Sequence, residues 1–178
     1  MKNDIQRVLY SEEAIGEKVK EIGEKISKDY AGKDLLVVVI LKGSAIFAAD
    51  LIRNISIHCN IDFMSVSSYG NGTESSGEVK ILKDITNIEG RNVLIVEDIV
   101  DSGITLSHLV QILNKRNPNS IEIATLLNKP SRRVEQVDVK YYGYEVPIEF
   151  LVGYGLVYDE KYRNLPYIGI LKREVYEK

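Results

Sequence analysis

The chain has 178 residues, of which 44% are hydrophobic and 28% charged, and its formal net charge is −3. This length suits one domain with a substantial apolar core, and the composition argues against a disordered chain or a surface that binds nucleic-acid backbones non-specifically. The single cysteine, Cys59, excludes an intrachain disulfide and a cysteine-based zinc cluster, and no apolar run reaches the length of a membrane span. We therefore expect a soluble, cytoplasmic protein.

Hydrophobic periodicity predicts alternating helices and strands in the first half of the chain. A helix begins at Ser11 and runs to about Asp29, because apolar residues recur at helical spacing. Residues 35–41 form a buried strand, followed by a Lys42-Gly43-Ser44 turn and a second helix over 45–53. Strands are predicted at 61–67 and 79–82. Between them, the Gly- and Ser-rich segment at about 68–78 favours a mobile lid loop.

The second half repeats this pattern around a central apolar strand that ends near Val96. A helix is predicted over 104–116, and further strands at 121–127, 137–142, 150–153 and 167–171. The alternation predicts an α/β fold with a doubly wound, mostly parallel central sheet flanked by helices. We expect a single domain that spans 1–178.

The end of the central strand is the most informative segment. Glu97 and Asp98 follow the apolar run, and two further apolar residues lead to Asp101-Ser102-Gly103. Parallel strands present polar residues at their carboxyl edge, where ligands of open α/β sheets bind. The free N–H groups of the next helix, with the hydroxyls of Ser102 and Thr105, suit a phosphate monoester. The acid pair suits sugar hydroxyls or hydrated Mg²⁺, although such a pair alone is often a solvated strand end.

This run resembles the phosphoribosyl diphosphate (PRPP) motif of the type I phosphoribosyltransferases. The motif consists of an apolar strand, two acids, two apolar residues, Asp-Ser/Thr-Gly and a Thr two positions further on. Other segments are similar to the hypoxanthine-guanine branch of the family, so the resemblance covers about 8–171. It implies the type I phosphoribosyltransferase fold, with a small hood formed by the N- and C-terminal segments. It also implies Mg²⁺-dependent transfer of phosphoribosyl from PRPP to hypoxanthine or guanine, which gives IMP or GMP and pyrophosphate.

The resemblance assigns roles to the residues that would bind PRPP. Asp101 would exchange a proton with N7 of the base as the catalytic general base or acid. Glu97 and Asp98 would hold the ribose hydroxyls and the metal, and Ser68 and Tyr69 would begin a lid that keeps water from an oxocarbenium-like sugar. Without the resemblance, the lid would be a flexible hairpin tip and Lys42-Gly43 an ordinary turn. The implied PRPP-binding set is Lys42, Gly43, Glu97, Asp98, Asp101, Ser102, Gly103, Ile104, Thr105 and Arg163.

The resemblance also implies a purine site. Lys129 would donate a hydrogen bond to the six-oxo group, which favours hypoxanthine or guanine over adenine. Phe150 would stack on the base, Leu151 would offer backbone groups to its edge, and the backbone carbonyl near Val157 would accept the guanine two-amino group. Without the resemblance, a lysine after a strand is usually solvated surface, as Lys129 would be, and a lone phenylalanine in an apolar strand, such as Phe150, is more often a core residue. Arg132 and Arg133 are interpreted as solvated surface or subunit contacts.

Val157 departs from the family pattern, which has Asp before the next Tyr. In relatives that carboxylate approaches, through water, a second Mg²⁺ on the pyrophosphate, and valine cannot do so. We expect weakened metal handling with base recognition retained. Asp159 would lie on the same face of an extended strand, about 6.5–7 Å further along, and would replace the missing carboxylate at best in part.

The sequence leaves two other functions open. A regulator on the same fold would sense PRPP or nucleotides without turnover, but such proteins usually need a broad basic face or an added DNA-binding domain. Transfer to xanthine is a second alternative, because Lys129 supports six-oxopurines without ranking them. The resemblance implies a homodimer or homotetramer, and we expect no nucleic-acid or membrane partner.

Overall fold

The computed structural model describes residues 1–68 and 78–177, which alternate between strands and helices. Of the helices among these residues, none is long and apolar enough to cross a membrane. The helices are α1 (Glu12–Asp29), α2 (Ala45–Arg53), α3 (Ile104–Asn114) and α4 (Arg173–Tyr176). The strands are β1 (Ile5–Tyr10), β2 (Leu35–Ile40), β3 (Asn60–Ser68), β4 (Val79–Lys83), β5 (Asn92–Val100), β6 (Ser120–Asn128), β7 (Tyr141–Glu145), β8 (Leu151–Val152) and β9 (Ile168–Leu171).

The main sheet has six strands in the order β4-β3-β2-β5-β6-β7. All neighbouring pairs run parallel except β3 and β4, which pair antiparallel at one edge. Parallel strands need crossover connections, and α2 and α3 supply two of them. The predicted doubly wound, mostly parallel sheet is therefore confirmed.

Both faces of the sheet are covered. Along β2, Val37 and Val39 point into a core shared with α1 and α2, whereas Leu36 and Val38 point into a second core shared with α3. Successive side chains of a strand alternate between faces, so all six residues of β2 are buried. The helix predicted at Ser11 begins there, with the Ser11 Oγ accepting a hydrogen bond from the Ala14 N–H at 3.1 Å.

A second, three-stranded sheet combines the two ends of the chain. Its order is β1-β9-β8, and both pairings are antiparallel. This sheet corresponds to the small hood expected from the N- and C-terminal segments. β1 is not predicted from the sequence, because its polar, exposed central residues, Gln6 and Arg7, lack a clear apolar alternation.

One strand position was wrong. The strand expected at 137–142 lies instead at Tyr141–Glu145, and its register with β6 starts at the Ala124–Tyr141 pair. Val137 and Val139 alternate as strand residues would, but they are half-buried against the α3 core without joining the sheet. Apolar alternation alone does not distinguish a strand that pairs in the sheet from an extended segment that only packs against the core.

Two glycines of α1 test how closely the helices pack. A Cβ on Gly23 would lie 2.5 Å from the Asn54 carbonyl oxygen at the end of α2, whereas a Cβ on Gly16 would meet nothing within 4 Å. We expect Gly23→Ala to lower the free energy of unfolding by about 1–3 kcal/mol through steric overlap. Gly16→Ala, the matched control, should raise it by roughly 0.5–1 kcal/mol through helix propensity. Urea titrations measure both values, and two changes of the same sign would contradict this packing.

Candidate active site

Three loops meet at the carboxyl edge of the main sheet. β5 lies between β2 and β6, so the residues that follow these strands become neighbours. The Lys129 N–H donates to the Val100 carbonyl at 2.9 Å, which joins the ends of β5 and β6. On the other side, the predicted Lys42-Gly43 turn follows β2 after a cis Leu41–Lys42 peptide bond. Residues that are far apart in sequence therefore share one edge.

Gly43 lies directly against the acid pair. A Cβ at this position would be 2.2 Å from the Asp98 Oδ2, so any larger residue would displace the carboxylate. The Asp98 Oδ1 accepts a hydrogen bond from the Ile99 N–H at 2.7 Å. The turn after β2 and the acid pair of β5 thus form one wall, and glycine is required for that close approach.

The two adjacent carboxyl groups are poorly solvated. Burial and the neighbouring Asp98 charge raise the pKa of Glu97 well above its ordinary value. Burial also raises the pKa of Asp98, although the hydrogen bond from Ile99 and the nearby Arg163 guanidinium act in the opposite direction. Two repelling acids in a desolvated position are unfavourable unless a cation or hydroxyl donors approach them.

The loop after β5 opens α3 as predicted. Gly103 precedes the helix in a left-handed conformation with φ of 79°, and the Ser102 Oγ accepts from the Ile104 N–H at 3.4 Å. The first N–H groups of a helix lack intrahelical partners and carry its positive dipole end. A cavity of about 180 Å³ opens here, lined by Glu97, Ile99, Val100, Asp101, Ser102, Gly103, Thr105 and Leu106.

The hood brings Arg163 to the same wall. Its Nη1 donates to the Gly155 carbonyl at 2.7 Å, and a Cβ on Gly155 would lie 2.3 Å from the Gly43 carbonyl oxygen. The Glu160 carboxylate lies 3.6 Å from the Lys42 Nζ and 3.8 Å from the Arg163 Nη2. Lys42 and Arg163, both predicted to bind PRPP, therefore share one anionic neighbour, Glu160, which no sequence pattern indicates.

Phe150 belongs to an aromatic cluster rather than standing alone. Its ring stacks on Tyr176 with centroids 4.7 Å apart and meets the edge of Tyr158 at 5.3 Å. The residue is half-buried, so it is neither a pure core residue nor fully exposed. The cavity of about 600 Å³ between the hood and α4 touches Phe150, but none of the other predicted site residues that the structure describes lines it.

Leu151 presents backbone groups at the edge of the hood sheet. Its side chain is buried, and it faces Ile170 of β9. The Phe150 carbonyl accepts from the Leu171 N–H at 2.8 Å, and backbone groups alternate in direction along a strand. The N–H and C=O of Leu151 consequently point away from β9, toward the unpaired edge.

Lys129 and Val157 keep their polar groups available. Both residues are half-buried. Within 1–68 and 78–177, the Lys129 ammonium makes no ion pair or hydrogen bond, and the Val157 backbone makes no hydrogen bond. This arrangement leaves donors and acceptors for a ligand. Of the predicted lid, Ser68 is the last residue of β3, and Tyr69 and the residues up to 77 lie outside the described part of the chain.

The interpretation of Arg132 and Arg133 needs correction. Arg132 is exposed, but its Nε lies 3.0 Å from the Asp101 Oδ1 as an ion pair. Arg133 is half-buried, and its guanidinium donates to the Asp101 carbonyl, the Asn128 Oδ1 and the Val137 carbonyl. Two adjacent arginines give no sequence signal that separates these contacts from solvated charge.

The expected geometry of Asp159 was also wrong. Asp159 and Glu160 have φ values of 50° and 56° and form a tight turn between the paired residues Tyr158 and Lys161. The Asp159 carboxylate is exposed and lies 3.5 Å from the Lys161 Nζ. It therefore does not continue along an extended strand from Val157.

Comparison with known proteins agrees with this geometry. Residues 6–159 match the family described as phosphoribosyl transferase domain. The chain is 55% identical over its full length to hypoxanthine-guanine phosphoribosyltransferases of Streptococcus thermophilus and Streptococcus agalactiae, and covers 99% of each. A crystal structure of a hypoxanthine phosphoribosyltransferase from Staphylococcus aureus has a TM-score of 0.98 at 55% identity, covering 100% of this chain and 97% of that one. These relatives are named as enzymes, which gives the regulatory alternative no support.

The desolvated acid pair predicts an unusual pH dependence of stability. Because the pKa of Glu97 is raised in the folded protein, the folded state keeps a proton that the unfolded chain has already lost. Stability of the metal-free protein should therefore fall as the pH rises from about 4.3 through the raised pKa.

Glu97→Gln removes the titrating carboxyl group while keeping the side-chain shape, so the variant should not lose stability in this way as the pH rises. In EDTA we expect its Tm to exceed that of the unsubstituted protein near pH 8, by roughly 2–4 °C for each kcal/mol of repulsion relieved, and to approach it near pH 4. Glu24→Gln, on the exposed side of α1, is the control and should give a constant difference. A Glu97→Gln advantage that does not grow with pH would contradict the assignment.

Proposed function

The chain belongs to the phosphoribosyl transferase family, in its hypoxanthine-guanine branch, and we propose that the carboxyl edge of its main sheet binds PRPP and a six-oxopurine side by side. Its activity is phosphoribosyl transfer from PRPP to hypoxanthine or guanine, which yields IMP or GMP and pyrophosphate and salvages free purines. The assignment of individual residues to steps of this reaction is the proposal.

One observation carries the assignment, namely the order of the strands β2, β5 and β6. Along this edge, Lys42 and Gly43 come first, the acid pair and the loop that opens α3 come next, and Lys129 follows. During transfer the purine nitrogen bonds to C1 of the ribose as the bond from C1 to pyrophosphate breaks, so the reacting groups have the same order of pyrophosphate, ribose 5′-phosphate and base. A single extended pair of substrates would therefore contact all three loops.

Different residues would bind the 5′-phosphate, the pyrophosphate and the ribose hydroxyls of PRPP. The N–H groups of Ile104 and Thr105, with the hydroxyls of Ser102 and Thr105, would hold the 5′-phosphate at the start of α3. Lys42 and Arg163 would bind the pyrophosphate after it displaces the Glu160 carboxylate from them. Glu97 and Asp98 would accept hydrogen bonds from the ribose hydroxyls, between these two anionic groups.

Asp101 would move the proton of the base. Its Oδ1 is shielded from solvent beside Arg132, so the exposed surface of this side chain belongs to its other atoms. The remaining carboxylate oxygen would take the N7 proton as the new bond to the sugar forms, and would return it in the reverse reaction. Hydrogen-bond reach between this oxygen and N7 is the geometric requirement of that role.

The acid pair fits Mg²⁺ that arrives with the substrate. Among the described residues, no group of three or more His, Cys, Asp and Glu side chains could hold a metal ion alone. Mg²⁺ usually takes one or two carboxylates and completes its shell with water and substrate oxygens. The raised pKa values of Glu97 and Asp98 also indicate a position where a cation is favoured. When bound, Mg²⁺ would neutralise charge on the pyrophosphate leaving group.

The base would lie between Phe150 and the end of β6. The Lys129 ammonium would donate to the six-oxo group, and the outward N–H and C=O of Leu151 would meet the edge of the purine. The Val157 carbonyl, which accepts no backbone hydrogen bond from the described residues, would accept one from the two-amino group of guanine. Phe150, held by Tyr158 and Tyr176, would offer a ring face for stacking.

A base panel tests this proposal. With PRPP and Mg²⁺, we expect nucleotide formation from hypoxanthine and guanine and none from adenine, with xanthine included to rank the six-oxopurines. Lys129→Met should raise the KM for hypoxanthine roughly 10- to 100-fold, as expected for a lost hydrogen bond to a charged group. Lys115→Met, at an exposed lysine after α3, is the control. Turnover of adenine, or an unchanged KM in Lys129→Met, would contradict the proposed base site.

Val157 predicts a raised Mg²⁺ requirement. We expect Val157→Asp to lower the Mg²⁺ concentration for half-maximal turnover by up to about tenfold, which corresponds to about 1.4 kcal/mol of metal affinity. Val157→Asn has nearly the same shape without the charge and should leave the titration unchanged. Identical Mg²⁺ titrations for Val157→Asp and the unsubstituted protein would refute this interpretation of position 157.

Two wider expectations accompany the function. A cytoplasmic location agrees with the single cysteine and with salvage of free bases. A homodimer or homotetramer agrees with the exposed apolar side chains of Ile61 and Phe63 on β3, and a monomeric mass in sedimentation would exclude it.

A further inference from the structure

Arg133 connects three segments behind the predicted PRPP loop. Its Nε donates to the Asp101 carbonyl at 3.1 Å, its Nη1 to the Val137 carbonyl at 3.1 Å, and its Nη2 to the Asn128 Oδ1 at 2.5 Å. Asp101 directly follows the central strand β5, and Asn128 is the last residue of β6 beside Lys129. One planar guanidinium therefore spans the loop after β5 and the strand that leads to the proposed base site.

The residues after Arg133 also contact the loop that follows β5. The Ser102 carbonyl accepts hydrogen bonds from the Val134 N–H at 2.8 Å and the Glu135 N–H at 3.2 Å. A Cβ on Gly103 would lie 2.8 Å from the Arg133 Cδ and 2.8 Å from the Glu135 carbonyl oxygen. The backbone from Asp101 to Gly103 is thus held from behind, while its other side faces the cavity of about 180 Å³.

We propose that Arg133 is a positioning residue for phosphoribosyl transfer, which fixes the Asp101–Gly103 backbone relative to the base-binding end of β6. Its three nitrogens each donate to a protein acceptor behind the loop, so we assign it no contact with the substrate. Its effect would pass through the Asp101 carbonyl to the carboxylate that moves the proton and to the amides that hold the 5′-phosphate. This inference rests on the proposed function of that loop.

The shape of the guanidinium matters more than its charge. Arginine presents several N–H donors in a rigid plane, so it can serve acceptors that lie in three directions. Lysine would keep the positive charge but reach these acceptors only from one mobile nitrogen. Loss of this planar set of donors would let the Asp101–Gly103 backbone shift. Displacements near 1 Å at a reacting centre cost on the order of 100-fold in rate.

The experiment compares Arg133→Lys with Arg91→Lys. Arg91 is a matched control because it also makes three hydrogen bonds, two to Asp34 and one to Asn60, but at the amino-terminal edge of the sheet. We expect Arg133→Lys to raise the KM for PRPP and lower kcat, with a combined loss in kcat/KM of roughly 10- to 100-fold. The KM for hypoxanthine should stay within about threefold. Arg91→Lys should lower Tm without changing either KM.

A rescue experiment separates positioning from folding. In Arg133→Ala, free guanidinium at low millimolar concentration should restore part of kcat/KM for PRPP, whereas ammonium should not. Equal kinetics for Arg133→Lys and the unsubstituted protein, or parallel losses in Arg133→Lys and Arg91→Lys, would overturn the proposal. If Arg133→Ala does not fold, the comparison of the two lysine variants decides alone.

The same measurements separate this inference from the proposed function. If the unsubstituted protein turns over hypoxanthine and Arg133→Lys behaves identically, only the role of Arg133 fails. If the unsubstituted protein neither turns over hypoxanthine nor binds PRPP in calorimetry, the proposed site fails, and the role of Arg133 fails with it.

Discussion

The parallel pairing of β5 with both β2 and β6 is the constraint on which the rest of the structure depends. Because the strands run in the same direction, their carboxyl ends reach one edge together. Residues that are more than 80 positions apart in sequence, such as Lys42 and Lys129, therefore lie at the same edge, on either side of β5. The apolar cores on both faces hold this alignment, since a shift of one residue would turn the buried side chains of β2 to the wrong face.

The same alignment creates an unfavourable position for charge. Glu97 and Asp98 continue a buried strand, and the tight approach of Gly43 removes space for water around Asp98. Their raised pKa values reflect that desolvation. A chain selected only for stability would not keep two adjacent acids here, so the arrangement is consistent with a site that becomes favourable when a substrate and its metal bind.

The hood reaches this edge through close backbone contacts, while its buried residues Leu151, Ile168 and Ile170 join the apolar core that α1 and α2 share with β2. Gly155 lies against Gly43, Arg163 binds the Gly155 carbonyl, and the Tyr154 hydroxyl donates to Asp50 of α2. Glu160 bridges Lys42 and Arg163 across the gap. An anionic substrate would replace the anionic Glu160 side chain between these two cations. Lys42 and Arg163 would therefore have a negatively charged partner both with and without the substrate.

The sequence by itself determined the alternation of strands and helices, the central sheet and the loop from Asp101 to Thr105, because apolar periodicity and turn residues are local properties. It did not determine β1, since Gln6 and Arg7 are exposed and their pairing depends on β9 at the other end of the chain. Only the tertiary structure revealed Arg133 as a link between two loops, Glu160 between two cations, and Asp159 in a turn. Arg133 and Glu160 depend on partners distant in sequence, which no local pattern encodes. The turn at Asp159 is closed by the neighbouring residues Tyr158 and Lys161, but its two central residues, Asp159 and Glu160, include no glycine that would mark it in the sequence.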